Sequence, residues 1–371
     1  MGKKIKMGIG LCAGVFLACI LAVVGYAVYM QAHFYRIPDD TELTVENNQA
    51  TLLKTGDTYT AVTYNIGFGA YGQDYSFFMD TGEMKDGTKT RGKYGKAVSR
   101  EAVEKNTAGA LQTLKTLNPD FMLLQEVDEE ADRSYHLNQV NYLKEEFSEC
   151  SSVFVNNFHT AFLLYPFSDP HGAVQAGLLN FSRYKVASAE RRSYPVDDHF
   201  ITKFTDLDRC FSVMRLPVEG GRELVLINSH MSAYDEGGKI RVQQLALLNS
   251  VMAEEYRAGN YVIVGGDFNH ALGDAVAEGF SSEQKFPAWV SILTQNELAE
   301  GIQMVRAENE LEVPTCRGAD IPYTKGVNYT TVVDGFLVSE NIRATAENVD
   351  ADFAYSDRNP VKLTFELIDE E

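Results

Sequence analysis

Residues 261–269 read Tyr261-Val-Ile-Val-Gly-Gly-Asp267-Phe-Asn269, a β-branched run that breaks at two glycines and then presents a carboxylate and an amide. Val262, Ile263 and Val264 predict a buried strand. Gly265 and Gly266 free the backbone, and strand alternation predicts Asp267 and Asn269 on one face at its end. A lone Gly-Gly-Asp most often only reverses the chain. Here the same event recurs. Upstream, Leu224-Val-Leu-Ile-Asn-Ser-His230 ends on a histidine, the Tyr59 to Asn65 run on an amide, and Asp120-Phe-Met-Leu-Leu-Gln-Glu126 on a carboxylate. Downstream, the run 332–338 carries Asp334, and Asp357 precedes a last run, 361–367.

Between these runs lie amphipathic stretches. Val98, Val103, Ala110, Leu111, Leu114 and Leu117 recur at helical spacing until Asn118-Pro119. Leu137, Val140, Leu143 and Phe147 predict a second helix, and Val242, Leu245, Leu248 and Met252 a third over 239–254. Residues 153–165 with 173–182, and 209–216 with 223–230 (turned at Gly220-Gly221), predict strand pairs. No internal repeat or second linker divides the chain, so residues 58–371 read as one domain. Asn and Asp after a strand are usually turn formers, and a lone histidine is usually structural. Five or six coincidences instead predict polar groups gathered at one rim of packed sheets.

The chain has 371 residues, 45% hydrophobic, with a net charge of −19. Residues 7–30 contain no charge and are long enough to cross a bilayer. Lys3, Lys4 and Lys6 precede this run, and Asp39, Asp40, Glu42 and Glu46 follow it. The positive-inside rule predicts residues 1–6 in the cytoplasm, a single-pass anchor over 7–30, a juxtamembrane linker over 31–57 and an extracytoplasmic domain. The rival reading is secretion after signal cleavage near Gly25-Tyr26-Ala27. Cys12 and Cys19 lie in the apolar run, while Cys150, Cys210 and Cys316 show neither disulfide nor zinc spacing.

An acidic domain repels polyanions as a whole, so DNA binding needs a local basic patch or bound cations. Lys85, Lys89, Arg91 and Lys93 lie in a long loop, 67–95, and form a candidate substrate-binding flap; the alternative is a solvated face. The linear sequence shows no apolar wedge suited to dip into lipid.

Oxygen ligands from Glu, Asp and Asn, without a Cys-His cluster, suit Mg²⁺ or Mn²⁺. There is no Walker loop, nucleophile elbow or dinucleotide fingerprint. A carboxylate-held cation with amide and imidazole donors suits attack of water on a phosphoester.

Asn65, Leu-Leu-Gln-Glu126, Asn-Ser-His230, Gly-Gly-Asp267-Phe-Asn269, Val-Asp334-Gly-Phe and Ser-Asp357-Arg-Asn-Pro resemble, in order, the motifs of the endonuclease/exonuclease/phosphatase superfamily. The resemblance spans roughly residues 58–367. It implies an α/β fold, a four-layer α-β-β-α sandwich of two packed mixed sheets. It also implies that Glu126 holds the metal with Asn65 and Asp357, and that His230 and Asn269 contact the scissile phosphate. Asp267 would direct water or protonate the leaving group, and Asp334 would polarise a histidine directly after Asp357.

In this chain that position is Arg358. Arginine stays protonated and cannot take a proton from water, and loss of a general base typically costs about 10²–10⁴-fold in rate. Arg358 is expected to pair with Asp334, or to clamp a phosphate oxygen. Two functions follow. One is a membrane-anchored Mg²⁺-dependent phosphoesterase of attenuated rate, acting on nucleic acid or a phospholipid head group. The other is an impaired relative that binds a phosphorylated ligand or a protein partner.

Overall fold

The computed structural model describes residues 2–369 apart from 198, 201, 206 and 234–237. The side chains of residues 1–6, Lys3, Lys4 and Lys6 among them, lie outside the described set. An apolar helix, α1 (Gly2–His33), leads into a two-residue strand, β1 (Thr41–Glu42), and then β2 (Thr58–Asn65). There follow α2 (Arg100–Leu117), β3 (Phe121–Ala131), α3 (Gln139–Glu146), β4 (Ser151–Leu163), β5 (Gly172–Ser182) and β6 (Ser188–Ser193). β7 (Cys210–Pro217), β8 (Glu223–His230), α4 (Lys239–Arg257) and β9 (Tyr261–Asp267) come next. β10 (Ile302–Val305), β11 (Asp334–Ser339), β12 (Ile342–Asn348) and β13 (Val361–Leu367) complete the framework.

Six strands form one sheet in the order β12-β13-β2-β3-β5-β4, and seven form the other, β1-β6-β7-β8-β9-β11-β10. Both are mixed: β2 with β3 and β8 with β9 are parallel, while their outer neighbours run antiparallel. Between the sheets Tyr59, Phe121, Leu123, Leu226, Ile263, Phe336 and Leu363 form one apolar core. α2 and α3 cover one outer face through Ala110, Leu114, Val140 and Leu143, and α4 covers the other through Leu248 and Met252. This is the expected four-layer α-β-β-α sandwich.

Local signals set the helix ends. Ser99 caps α2 by accepting the Ala102 N–H, and Asn118 ends it in the left-handed region before Pro119. Val98 therefore lies outside this helix, and it is exposed. Val242 lies in α4 but is 67% exposed, because only one stripe of that helix meets the sheet. Three other stretches also depart from their simple reading. Within 38–50, β1 pairs with β6 of one sheet and Glu46 bridges to Ser152 on β4 of the other, so part of the expected linker extends the sheets. The loop 67–95 holds a small hairpin, Thr81–Glu83 with Lys89–Arg91, over a local core of Phe68, Tyr71, Tyr75 and Phe77. Finally, β9 stops at Asp267, and Asn269 has a left-handed φ of 49°, so a turn rather than strand alternation aims its amide.

Met7–His33 has a mean hydropathy of 2.6 and is not buried against the domain. It fits a single-pass membrane anchor or a signal sequence.

Candidate active site

The strand register aligns the chemistry. His230 on β8 stands opposite Asp267 on β9, which stands opposite Asp334 on β11, so three neighbouring strands present them in one row. From the facing sheet come Asn65, at the end of β2, and Glu126 on β3. Glu126 has φ 54°, a left-handed conformation that glutamate rarely adopts, at a bulge where the β3–β5 register shifts between Leu124 and Val127. The bulge turns the carboxylate out of the regular ladder, leaving it 22% exposed at the rim.

Asn65 joins the sheets. Its Nδ2 donates to Glu126 Oε1 at 2.9 Å and to Asp267 Oδ2 at 3.1 Å, while its Oδ1 accepts the Gly67 N–H at 2.9 Å. The resemblance implies Asn65 as a metal ligand; its Oδ1 accepts one hydrogen bond and retains a second lone pair for that role, while its amide orients two carboxylates. Ser356 Oγ donates to the Asn65 carbonyl at 2.7 Å, closing the loop that carries Asp357 over the end of β2. Gly67, at φ 54°, leaves room for this closure: a Cβ there would come within 2.7 Å of the Tyr71 ring.

Arg358 lies inside the row. Its Nη2 is 2.9 Å and its Nε 3.1 Å from Asp267 Oδ2, Nη1 pairs with Asp357, and Nη2 reaches Asn269 Oδ1 at 3.5 Å. Asp334, the partner expected from the sequence, is farther, at 3.7 Å from Nε. The guanidinium fork finds two carboxylates in hydrogen-bonding position on either side, which leaves Asp334 the third choice. Both Asp334 carboxyl oxygens are buried without a hydrogen bond. His230 lies 3.9 Å from both Glu126 and Asp267, and Asn269 Nδ2 donates to the Met231 carbonyl.

These contacts set the protonation states. Burial opposes ionisation of Asp267, but Arg358, the Asn65 amide and the Asn269 N–H outweigh it and hold its pKa below the usual range. Burial and the charge of Asp267 hold Asp334 well above that range, only partly opposed by Arg358. Burial and Asp357 raise Glu126 against Arg133 and Asn65. Burial and Arg209 push His230 well down, so it is a neutral imidazole at physiological pH. For Arg358 burial favours the neutral form, yet Asp267 and Asp357 overcome it and keep the group charged.

A buried polar seam supports the rim. Gln125 Nε2 donates to Thr63 Oγ1 and Asn228 Oδ1, and Asn228 Nδ2 to Asn180 Oδ1. Asn180 Nδ2 reaches Ser212 Oγ, so four side chains stitch the two sheets together below the site. Sequence reading quoted Gln125 and Asn228 inside the motifs without giving them a role, and missed Asn180; polar residues inside otherwise apolar runs were the available signal. It also missed Arg133, which pairs with buried Asp128 at 2.7 Å and stacks 3.9 Å from the Phe68 ring.

His171 lies near that arginine, bonded through Nδ1 to the Gly95 carbonyl, and burial with the Arg133 charge pushes its pKa down to about 3. A histidine neutral in the fold but protonated in the unfolded chain weakens folding as pH falls below its unfolded value. Stability should therefore drop by up to about 1.4 kcal/mol per pH unit between about pH 6.5 and 3 from this group alone. Urea unfolding of His171→Asn across that window should show a slope shallower by one proton. An unchanged slope would mean that His171 is already charged in the fold.

The candidate flap is partly occupied within the chain. Lys85 Nζ donates to the Ser282 carbonyl, Arg91 to the Phe78 carbonyl, and Lys93 stands over the Tyr94 ring; Lys89 is exposed.

Among the described residues no three His, Cys, Asp or Glu side chains converge as a closed metal cage. Mg²⁺ does not require one, because it keeps several waters and takes one or two carboxylates. A strained Glu126 whose pKa is raised by burial and by nearby Asp357 is the arrangement a bound cation relieves. The donor set fits such an ion.

No curated protein matches the sequence closely enough to count as a relative. Among solved structures, truncated TDP2 from Caenorhabditis elegans superposes with a TM-score of 0.51 at 15% identity, covering 84% of this chain and 98% of that one. An endonuclease/exonuclease/phosphatase from Beutenbergia cavernae gives 0.54 at 14% identity, covering 84% and 72%. Danio rerio TDP2 complexed with a single-strand DNA product gives 0.50 at 15%, covering 84% and 99%. The sequence model of the endonuclease/exonuclease/phosphatase family matches residues 62–357, most of the chain. With its motifs brought to one rim of the sandwich that these neighbours share, the chain belongs to the endonuclease/exonuclease/phosphatase family.

Proposed function

We propose that the protein is a membrane-anchored, extracytoplasmic phosphoesterase that depends on Mg²⁺ or Mn²⁺ and turns over slowly. The family's phosphoester hydrolases support the reaction class. The observation that carries the reading is Glu126, held at the rim in a strained backbone, its pKa raised by burial and then by the neighbouring Asp357. Glu126 and Asp357 would hold the ion, with Asn65 orienting Glu126 through its amide. When bound, the ion supplies Lewis-acid stabilisation of the charge that develops on the phosphoryl group. His230, neutral, and the Asn269 amide would contact the phosphate oxygens, while ionised Asp267 orients the attacking water. The Arg358 ion pairs to Asp267 and Asp357 are the brake, since both acids are drawn toward a fixed guanidinium.

A second reading, a phosphate-binding relative without turnover, is favoured by the same guanidinium, which can clamp an oxyanion but not accept a proton. The TDP2 structure with its DNA product keeps nucleic acid beside lipid head groups as a substrate class. Manganese binding tests the metal site independently of turnover. Electron paramagnetic resonance should show free Mn²⁺ consumed by the wild type and a loss of affinity of about 10–100-fold in Glu126→Gln. Equal binding by both would sink the assignment.

A further inference from the structure

Among the described residues, an exposed cluster of aromatic side chains lies outside the site. The turn between β4 and β5 presents Phe162, Leu164, Tyr165 (52% exposed) and Phe167 (81% exposed). Phe200, also exposed, packs edge-on against Phe204, which in turn meets Phe34 just after α1. α1 is bonded to the same turn: Tyr26 Oη donates to the Phe162 carbonyl at 3.0 Å and accepts the Leu164 N–H at 3.3 Å, while Tyr29 Oη accepts the Phe162 N–H at 3.2 Å.

We infer that this aromatic turn, with Phe200, docks the domain onto the outer interface of the bilayer that α1 crosses. The inference rests on reading α1 as a retained anchor. Helix length fixes the depth. From Met7 to Tyr26 the chain rises roughly 30 Å at 1.5 Å per residue, the thickness of the hydrocarbon core. Tyr26 and Tyr29 then fall at the head-group level, where aromatic belts sit, and the lysines before Met7 fall at the other face. The turn is bonded to those two tyrosines, so it shares their depth. Lys203 completes the pattern: its Nζ donates to Gln31 Oε1 at 2.9 Å and stands over the rings of Phe34, Phe200 and Phe204, an apolar stem with its charge at the interface. The chain is acidic overall, so general attraction to anionic lipid does not account for the docking, and the aromatic side chains supply the contact beside the anchor.

The wedge was invisible in the linear sequence because tertiary contacts assemble it from residues 26–35, 162–167 and 200. It also orients the active site. β5 runs antiparallel to β3, with Val174 opposite Ala131, so the turn lies beyond the C-terminal end of β3, toward which the strand runs on from Glu126 at its centre. Tyr165 packs 5.6 Å from Phe78 and lies 3.4 Å from Arg91, linking the wedge to the basic hairpin. The rim would thus stand close to the head-group layer.

The test uses the full chain, in a Trp289→Phe background, reconstituted into phosphatidylcholine vesicles with or without bromine on the acyl chains. Phe167→Trp reports on the turn. Glu219→Trp, beside the β7–β8 turn at the end of the sheet opposite His230, serves as reference. Co-flotation with the vesicles, with bromine quenching the Phe167→Trp emission by about twofold and the reference little, is the expected result. Co-flotation without preferential quenching at 167 overturns the docking surface and leaves the anchor standing. Failure to float overturns both. Emission that shifts only as protein density in the vesicle rises would mean that a second copy covers the patch, and also overturns the inference.

Discussion

Arg358→His should raise metal-dependent phosphodiester hydrolysis by about 10²–10⁴-fold, the usual contribution of a positioned general base. The substitution acts twice. It frees Asp267 and Asp357 from the guanidinium, restoring one to water and the other to the metal. It also places an imidazole beside Asp334, whose buried carboxyl oxygens have no hydrogen bond in the present structure. Such a carboxyl can accept from a ring N–H and hold the tautomer, as in other carboxylate–histidine pairs. The pH–rate profile should gain a limb near about pH 6.5 that the wild type lacks. A rate within a few-fold of wild type, with no new limb, would mean that Arg358 is not the brake.

The second large effect is on stability. Arg358→Ala removes the cation shared by Asp267 and Asp357, and Asp267 is fully buried. Breaking a buried pair by deleting one partner typically costs about 3–5 kcal/mol, because the remaining charge is stranded. The unfolding midpoint in urea should fall accordingly. Added Mg²⁺ should then raise the melting temperature of Arg358→Ala by more than it raises that of the wild type, since the ion replaces the missing counter-charge. Equal metal shifts in the two proteins would separate Arg358 from the metal site.

The rim was legible in the sequence because its residues sit where apolar runs end, and parallel or antiparallel pairing brings those ends into register. His230, Asp267 and Asp334 are side by side because β8, β9 and β11 are neighbours. What stayed hidden depends on single backbone angles or distant partners. The left-handed bend at Glu126 has no sequence signature, since glutamate disfavours it. Asn269 reaches the site through a comparable turn. The choice Arg358 makes between Asp334 and the pair Asp267 and Asp357 is decided by angstroms: all four residues were in view, and only geometry ranks them. Arg133 and His171, which support the rim from behind, are brought to it by folds of the chain that composition does not reveal.

The most direct measurement is the hydrolysis rate of a small generic phosphodiester by the full chain in detergent, with Mg²⁺ and with EDTA, beside Glu126→Ala. The site as described predicts slow turnover by the wild type that EDTA removes, and none by Glu126→Ala. Equal rates in the two proteins, or wild-type turnover indifferent to EDTA, would contradict a phosphoesterase built on Glu126.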